Sequence, residues 1–202
     1  KALHEPIWQR RGVWDRSYHE SRVPVVPTML LEILSHQNFA DMRYGLDPTF
    51  KFDVSRAIYK GILRFLSLRD GTPYIVQPLP VVNFAADISG NKAILKWEAQ
   101  RDALESTAES NKYIVYTRID GAGFDNGRVI LSPSFEMEIE PDKIYSFKIA
   151  ALNDGGEIFP SEILSLYQHP QPKGNVLIIN GFDRLSAPFS FSTADTTYAG
   201  FV

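Results

Sequence analysis

Ile144-Tyr145-Ser146-Phe147-Lys148-Ile149-Ala150-Ala151-Leu152-Asn153-Asp154-Gly155-Gly156 is the stretch that decides the fold of the larger part of this chain. Across 145–151 apolar side chains recur at every second position, the period of a strand with one buried face. Asp154-Gly155-Gly156 then supplies the residues of a tight turn. The same period appears upstream at 93–97, 113–119 and 135–139, with turn signals at Gly90-Asn91 and Asp125-Asn126-Gly127. Several short strands with no helical pattern among them predict an all-β sandwich or barrel over 76–168. The polar stretch 100–111 is expected to be a loop between two strands.

Outward from there the character changes. Residues 1–71 read as a mixed α/β segment. The apolar run 23–34, broken by Pro24 and Pro27, suits a strand buried on both faces. Residues 53–68 have helical spacing, with Asp53 as N-cap, an apolar side of Ala57, Ile58, Ile62, Phe65 and Leu66, and Arg56, Lys60, Arg64 and Arg69 mostly opposite. Asp70-Gly71-Thr72-Pro73 ends the helix and marks a boundary. On the other side, His169-Pro170-Gln171-Pro172-Lys173-Gly174 is a stiff linker by composition. The expectation for 169–202 is this linker, a strand over 175–181 opening a third domain of which only the start is present, and a poorly ordered tail over 188–202. The lack of an initial methionine or an apolar leader leads us to expect a piece of a longer protein.

Composition narrows the function classes. With 44% hydrophobic and 22% charged residues, the 202-residue chain has the make-up of a globular protein with one large core or two small ones. A net charge of −3 offers no concentrated basic patch for a nucleic acid. No stretch reaches the length of a membrane span. Cysteine is absent, which removes disulfides and thiolate metal sites. Residues 1–71 carry 11 Lys and Arg against 8 Asp and Glu, and the remainder 10 against 16, so the first part is mildly basic.

The region 76–168 resembles fibronectin type III domains, which are immunoglobulin-like sandwiches. Trp97 falls where the family places its core tryptophan on the second strand. Tyr145, within Pro141-Asp142-Lys143-Ile144-Tyr145-Ser146-Phe147, matches the tyrosine of the corner that pins the last strand but one. The run 150–156 followed by Pro160-Ser161-Glu162 matches the closing hairpin. The resemblance implies a structural role for Trp97 and Tyr145, and a spacer or adhesive module with no chemistry of its own.

A second resemblance lies nearer the start. Arg11-Gly12-Val13, Arg22, Pro27-Thr28-Met29-Leu30-Leu31-Glu32, Asn38 and Asp41 resemble the C-terminal part of the zinc-dependent N-acetylmuramoyl-L-alanine amidases. The offsets agree: five residues from Arg22 to Pro27, six from Glu32 to Asn38, nine from Glu32 to Asp41. This chain has Leu34-Ser35 and Gln37 where that family has glycine-phenylalanine and serine. The resemblance implies an α/β catalytic domain in which Glu32 ends a central strand over 25–31, faces a cleft, and acts as general base and acid beside a zinc-activated water. It gives Arg22 a contact with the carboxylates of a peptide stem, and Asn38 and Asp41 structural roles behind the glutamate. The zinc ligands of that family lie upstream of the matching segment. His4, His19, His36 and His169 form no pair at ligand spacing, so no metal is expected here and zinc belongs to the parent enzyme.

The reading that follows is a fragment of a secreted, periplasmic or cell-envelope hydrolase acting on peptidoglycan, with the fragment itself inactive. Two rivals stand beside it. One is a non-catalytic envelope module that binds a wall polysaccharide through the sandwich. The other is a polysaccharide lyase of the kind labelled xanthan lyase, for which Tyr18 with His19, and Tyr44, are the residues on offer.

Overall fold

Each period-two stretch forms a strand in the computed structural model, which describes residues 12–179 and the paired segments 190–192 and 199–201. The chain divides into two units, Lys1–Tyr59 with Asn180–Val202, and Lys60–Ile179.

In the second unit β1 (Val82–Ser89), β2 (Lys92–Glu98) and β5 (Ser134–Glu138) form one antiparallel sheet in the order β1-β2-β5. The other sheet runs β4 (Arg128–Ile130), β3 (Lys112–Ile119), β6 (Ile144–Asn153), β7 (Gly156–Glu157), with β8 (Leu164–Tyr167) also paired to β6. The register places Leu95 opposite Phe135, Val115 opposite Ile149, and Tyr145 opposite Leu166. Every second residue therefore turns to the same face, and the two faces meet in one core. Leu95 and Trp97 come from the first sheet; Tyr113, Val115, Tyr145, Phe147, Ile149 and Ala151 come from the second. Trp97 meets Tyr113 edge-on, with ring centroids 5.3 Å apart. Side chains buried this fully contribute about 1.5–3 kcal/mol each.

Two polar devices fix the ends of β6. Tyr145 is buried, and its hydroxyl oxygen accepts from the Glu140 N–H at 3.1 Å, which holds the corner where the chain passes from one sheet to the other. At the far end the buried Asn153 amide donates to the carbonyls of Val76 (2.8 Å), Thr107 (3.1 Å) and Glu109 (3.3 Å), and its Oδ1 accepts from Gly155 N at 2.8 Å. A Cβ at Gly155 would lie 2.5 Å from the Ile75 carbonyl oxygen, so only glycine permits this approach.

The first unit differs from its expectation. Its described residues between 12 and 59 hold α1 (His19–Arg22), α2 (Phe39–Leu46) and the start of α3 (Pro48–Asp70), and no strand. Residues 25–31 are irregular and exposed. Pro24 and Pro27 remove two N–H donors, and among the described residues no strand lies alongside to share a ladder. The α/β character expected of residues 1–71 is therefore not seen among the described residues of that segment. The long helix starts five residues before Asp53. Asp47 Oδ1 accepts from Thr49 N at 2.9 Å, and Pro48 stands at the first helical position, where its missing N–H costs nothing. The expected polar side is also displaced, because Arg56 is buried while Ile62, Phe65 and Leu66 are exposed.

After β8 the chain is irregular through Ile179. The strand expected over 175–181 is not formed up to that point, and Val176, Leu177, Ile178 and Ile179 are exposed. Residues 180–181 lie outside the described residues. So does most of the tail 188–202, except that β9 (Ser190–Ser192) pairs antiparallel with β10 (Ala199–Phe201).

Candidate functional site

The stretch singled out for chemistry is built around a short loop. Asn38 caps α2, its Oδ1 accepting from Ala40 N at 3.0 Å. Asp41 Oδ2 accepts from Ser35 N at 2.9 Å, which ties the first turn of α2 back to the chain just after Glu32. Both side chains hold backbone in place, as short polar residues do at helix starts. Glu32 is exposed on irregular chain, so it lacks the desolvation that a buried strand end would have given it. The two residues after it, Ile33 and Leu34, line an open apolar groove of about 300 Å³ with Gly45, Phe50, Val54 and Ile58. Glu32 itself is not in that lining. Arg22 ends α1 and is exposed.

A metal would need several donors brought together. Among the described residues no three His, Asp or Glu side chains are grouped for that purpose. His19 begins α1, His36 lies in the turn before α2, and His169 accepts from Gln171 N through Nδ1. His4 lies outside the described residues.

The sandwich carries Trp97 and Tyr145 in its core, as described. Its ionisable groups with displaced equilibria are each explained by a pairing that holds structure. Burial pulls the Glu105 carboxyl up, yet hydrogen bonds from Thr107 and Tyr74 and the nearby Lys60 outweigh it and leave the group below the usual range. Lys60 is itself bound to Asp102 at 2.7 Å. Burial and a 2.7 Å hydrogen bond to Glu157 push Tyr116 up to about 12. The hydrogen bond to Asp142 raises Tyr167. None of these groups stands with a nucleophile and a base.

The sandwich does hold one larger cleft that the sequence reading did not single out. It measures about 520 Å³ and opens between β3, β4 and β5, with an apolar floor of Val115, Ile119, Phe135 and Met137 and a rim that includes Asp125 and Arg128. The Arg128 guanidinium lies 5.4 Å from the Phe135 ring centroid. Asp125 Oδ1 accepts from Thr117 N and Gly127 N, both at 3.0 Å, and so shapes the loop beside the cleft. Gly127, at φ +77°, lies so near Ile114 and Tyr116 that a Cβ there would clash. The Asp125-Asn126-Gly127 turn was visible in the sequence. The three-residue strand after it was too short to show a period.

No family model matches the chain, and no curated protein matches it. Solved structures do resemble it. The twitchin kinase region of C. elegans is 20% identical, with a TM-score of 0.42, and the match covers 49% of this chain and 18% of that one. The sixth fibronectin type III domain of human fibronectin type III domain containing protein 3 is 17% identical, with a TM-score of 0.40, over 49% of this chain and 92% of that one. The fourth fibronectin type III domain of a human protein is 21% identical, with a TM-score of 0.39, over 50% of this chain and 85% of that one. The chain thus spans under a fifth of the twitchin region and most of each single human domain. The antiparallel two-sheet sandwich of residues 82–167 rests on their own strand order and tyrosine corner.

Proposed function

We propose that the chain serves a secreted or cell-envelope protein through its sandwich, a non-catalytic module that binds or spaces at a wall polymer such as peptidoglycan. The observation that carries this reading is the state of the polar groups in residues 60–179. Each displaced carboxyl or hydroxyl is committed to a structural partner, and no acid, base and nucleophile converge in the cleft.

A second reading keeps Glu32 as the general base and acid of an amidase-like catalytic domain, completed by residues outside this chain, with Arg22 on the carboxylates of the peptide stem. Its specific support is the matching offsets, together with the Ser35–Asp41 and Asn38–Ala40 bonds that fix the loop behind Glu32. One experiment separates the two. The chain is incubated with purified peptidoglycan, and retention on the polymer and release of soluble peptide are both measured, beside a Glu32→Gln variant and beside a longer protein that carries the upstream region with zinc supplied. Retention without release, unchanged in Glu32→Gln, is the expected result. Release by the longer protein that drops about 10²–10⁴-fold in Glu32→Gln would establish the amidase instead.

A further inference from the structure

Among the described residues β5 is the last strand of its sheet and pairs with β2 alone. The bonds at its two ends show where its backbone points. Trp97 N–H donates to the Pro133 carbonyl at 3.1 Å, and Ile139 N–H donates to the Asn91 carbonyl at 2.8 Å. In an antiparallel ladder the residues in register with these, Phe135 and Met137, share their bonds with β2. Ser134, Glu136 and Glu138 therefore turn their N–H and C=O groups to the open edge, at the roughly 7 Å repeat of alternate residues on a strand.

The side chains complete the template. Phe135 and Met137 point between the sheets but are only half-buried, while Leu95 and Ala93 opposite them are fully buried. The uncovered part is the 520 Å³ cleft, which is bounded on its far side by β4, the end strand of the other sheet. On the outer face charge alternates from strand to strand. Lys92 and Lys96 stand on β2, and Glu136 and Glu138 on β5, with Lys92 opposite Glu138 and 3.5 Å from Glu136. A second copy of this chain meeting the edge would set glutamates against glutamates, which disfavours pairing. A basic strand would continue the alternation.

We propose that the β5 edge and its cleft take an extended peptide from a partner protein, one with Lys or Arg at alternate positions alongside Glu136 and Glu138 and aliphatic residues between them. The peptide adds a strand to the sheet: its main chain bonds to Ser134, Glu136 and Glu138, and its aliphatic side chains fill the cleft over Phe135 and Met137. The inference rests on the sandwich being a binding module and specifies the surface it uses.

The test adds a synthetic nonapeptide of alternating lysine and valine to the isotope-labelled chain and follows amide shifts and exchange. The control is the same peptide with glutamate for lysine. The expected result is slowed exchange at Ser134, Glu136 and Glu138 and shifted Phe135 and Met137 signals with the lysine peptide alone, weakening as salt is raised. Reversing both charges in E136K/E138K should weaken binding about tenfold. Glu136→Pro removes one outward N–H from an edge that tolerates proline, so the fold should survive and the exchange protection should vanish. Equal binding of both peptides, shifts confined to another surface, or none at millimolar peptide would each overturn the proposal. Retention on peptidoglycan is read separately, so the module reading can stand or fall independently.

Discussion

Residues 12–59 and residues 82–167 are both rich in large apolar side chains, yet they treat them in opposite ways. In the sandwich Phe147 and Leu95 are fully enclosed; in the first segment Val25, Val26, Met29, Leu30 and Leu31 stand in solvent. Apolar content is therefore not what makes a core. A strand buries its apolar face only when a neighbour supplies ladder bonds and a second sheet supplies the opposing face. β6 has β3 and β8 beside it and β2 and β5 facing it, whereas 25–31 has prolines nearby and no strand beside it among the described residues.

The contrast is broken most directly by paired truncations. Phe147→Ala should cost about 3–5 kcal/mol in chemical denaturation followed by tryptophan fluorescence, because it opens a cavity in a closed core. Leu30→Ala should stay within about 0.5 kcal/mol. A cost at Leu30 close to that at Phe147 would mean that the first segment is packed after all. Next in size is the polar hub. Asn153→Ala should cost about 2–3 kcal/mol, since it strips donors from three backbone carbonyls, one of them buried. Hydrogen exchange should then speed up first at Val76, whose bond to Thr107 lies beside the hub, and not in α2.

The smallest effect is electrostatic. Tyr116 is held up to about 12 against an ordinary 10.0, so its neutral form is the one the fold favours. Its contribution is fully present below pH 10 and is lost as pH rises through the range from 10 to about 12. Glu157→Gln should move its ultraviolet titration downward but not back to the ordinary value, because burial is the larger cause. No change in Glu157→Gln would leave burial as the whole explanation.

How much of this could be read in the sequence depended on length of pattern and on who the partner is. The four strands with sustained alternation, β2, β3, β5 and β6, were legible with their turns, and so were Trp97 and Tyr145. Three short or irregular elements were not. β4 and β8 have three and four residues, too few for a period, and β1 carries a bulge between Val82 and Ala85, with Asn83 at φ 53°. Asp53 looked like a cap because it precedes an apolar series, but Asp47 with Pro48 begins the helix earlier. The cleft was hidden for a different reason: it depends on which two strands end their sheets, and that is a property of topology. At Glu32 the spacing was legible, but the strand inferred around it was not formed.

The clasp at Asn153 also bears on mechanics. Residues 75–76 are fastened to the hairpin that closes β6 before the chain reaches its first strand. A pull applied ahead of Thr72 meets the Tyr74–Glu105 bond and then the Asn153 amide and the backbone seated on Gly155. Tension must undo these bonds before it can peel β1, the strand with the bulge.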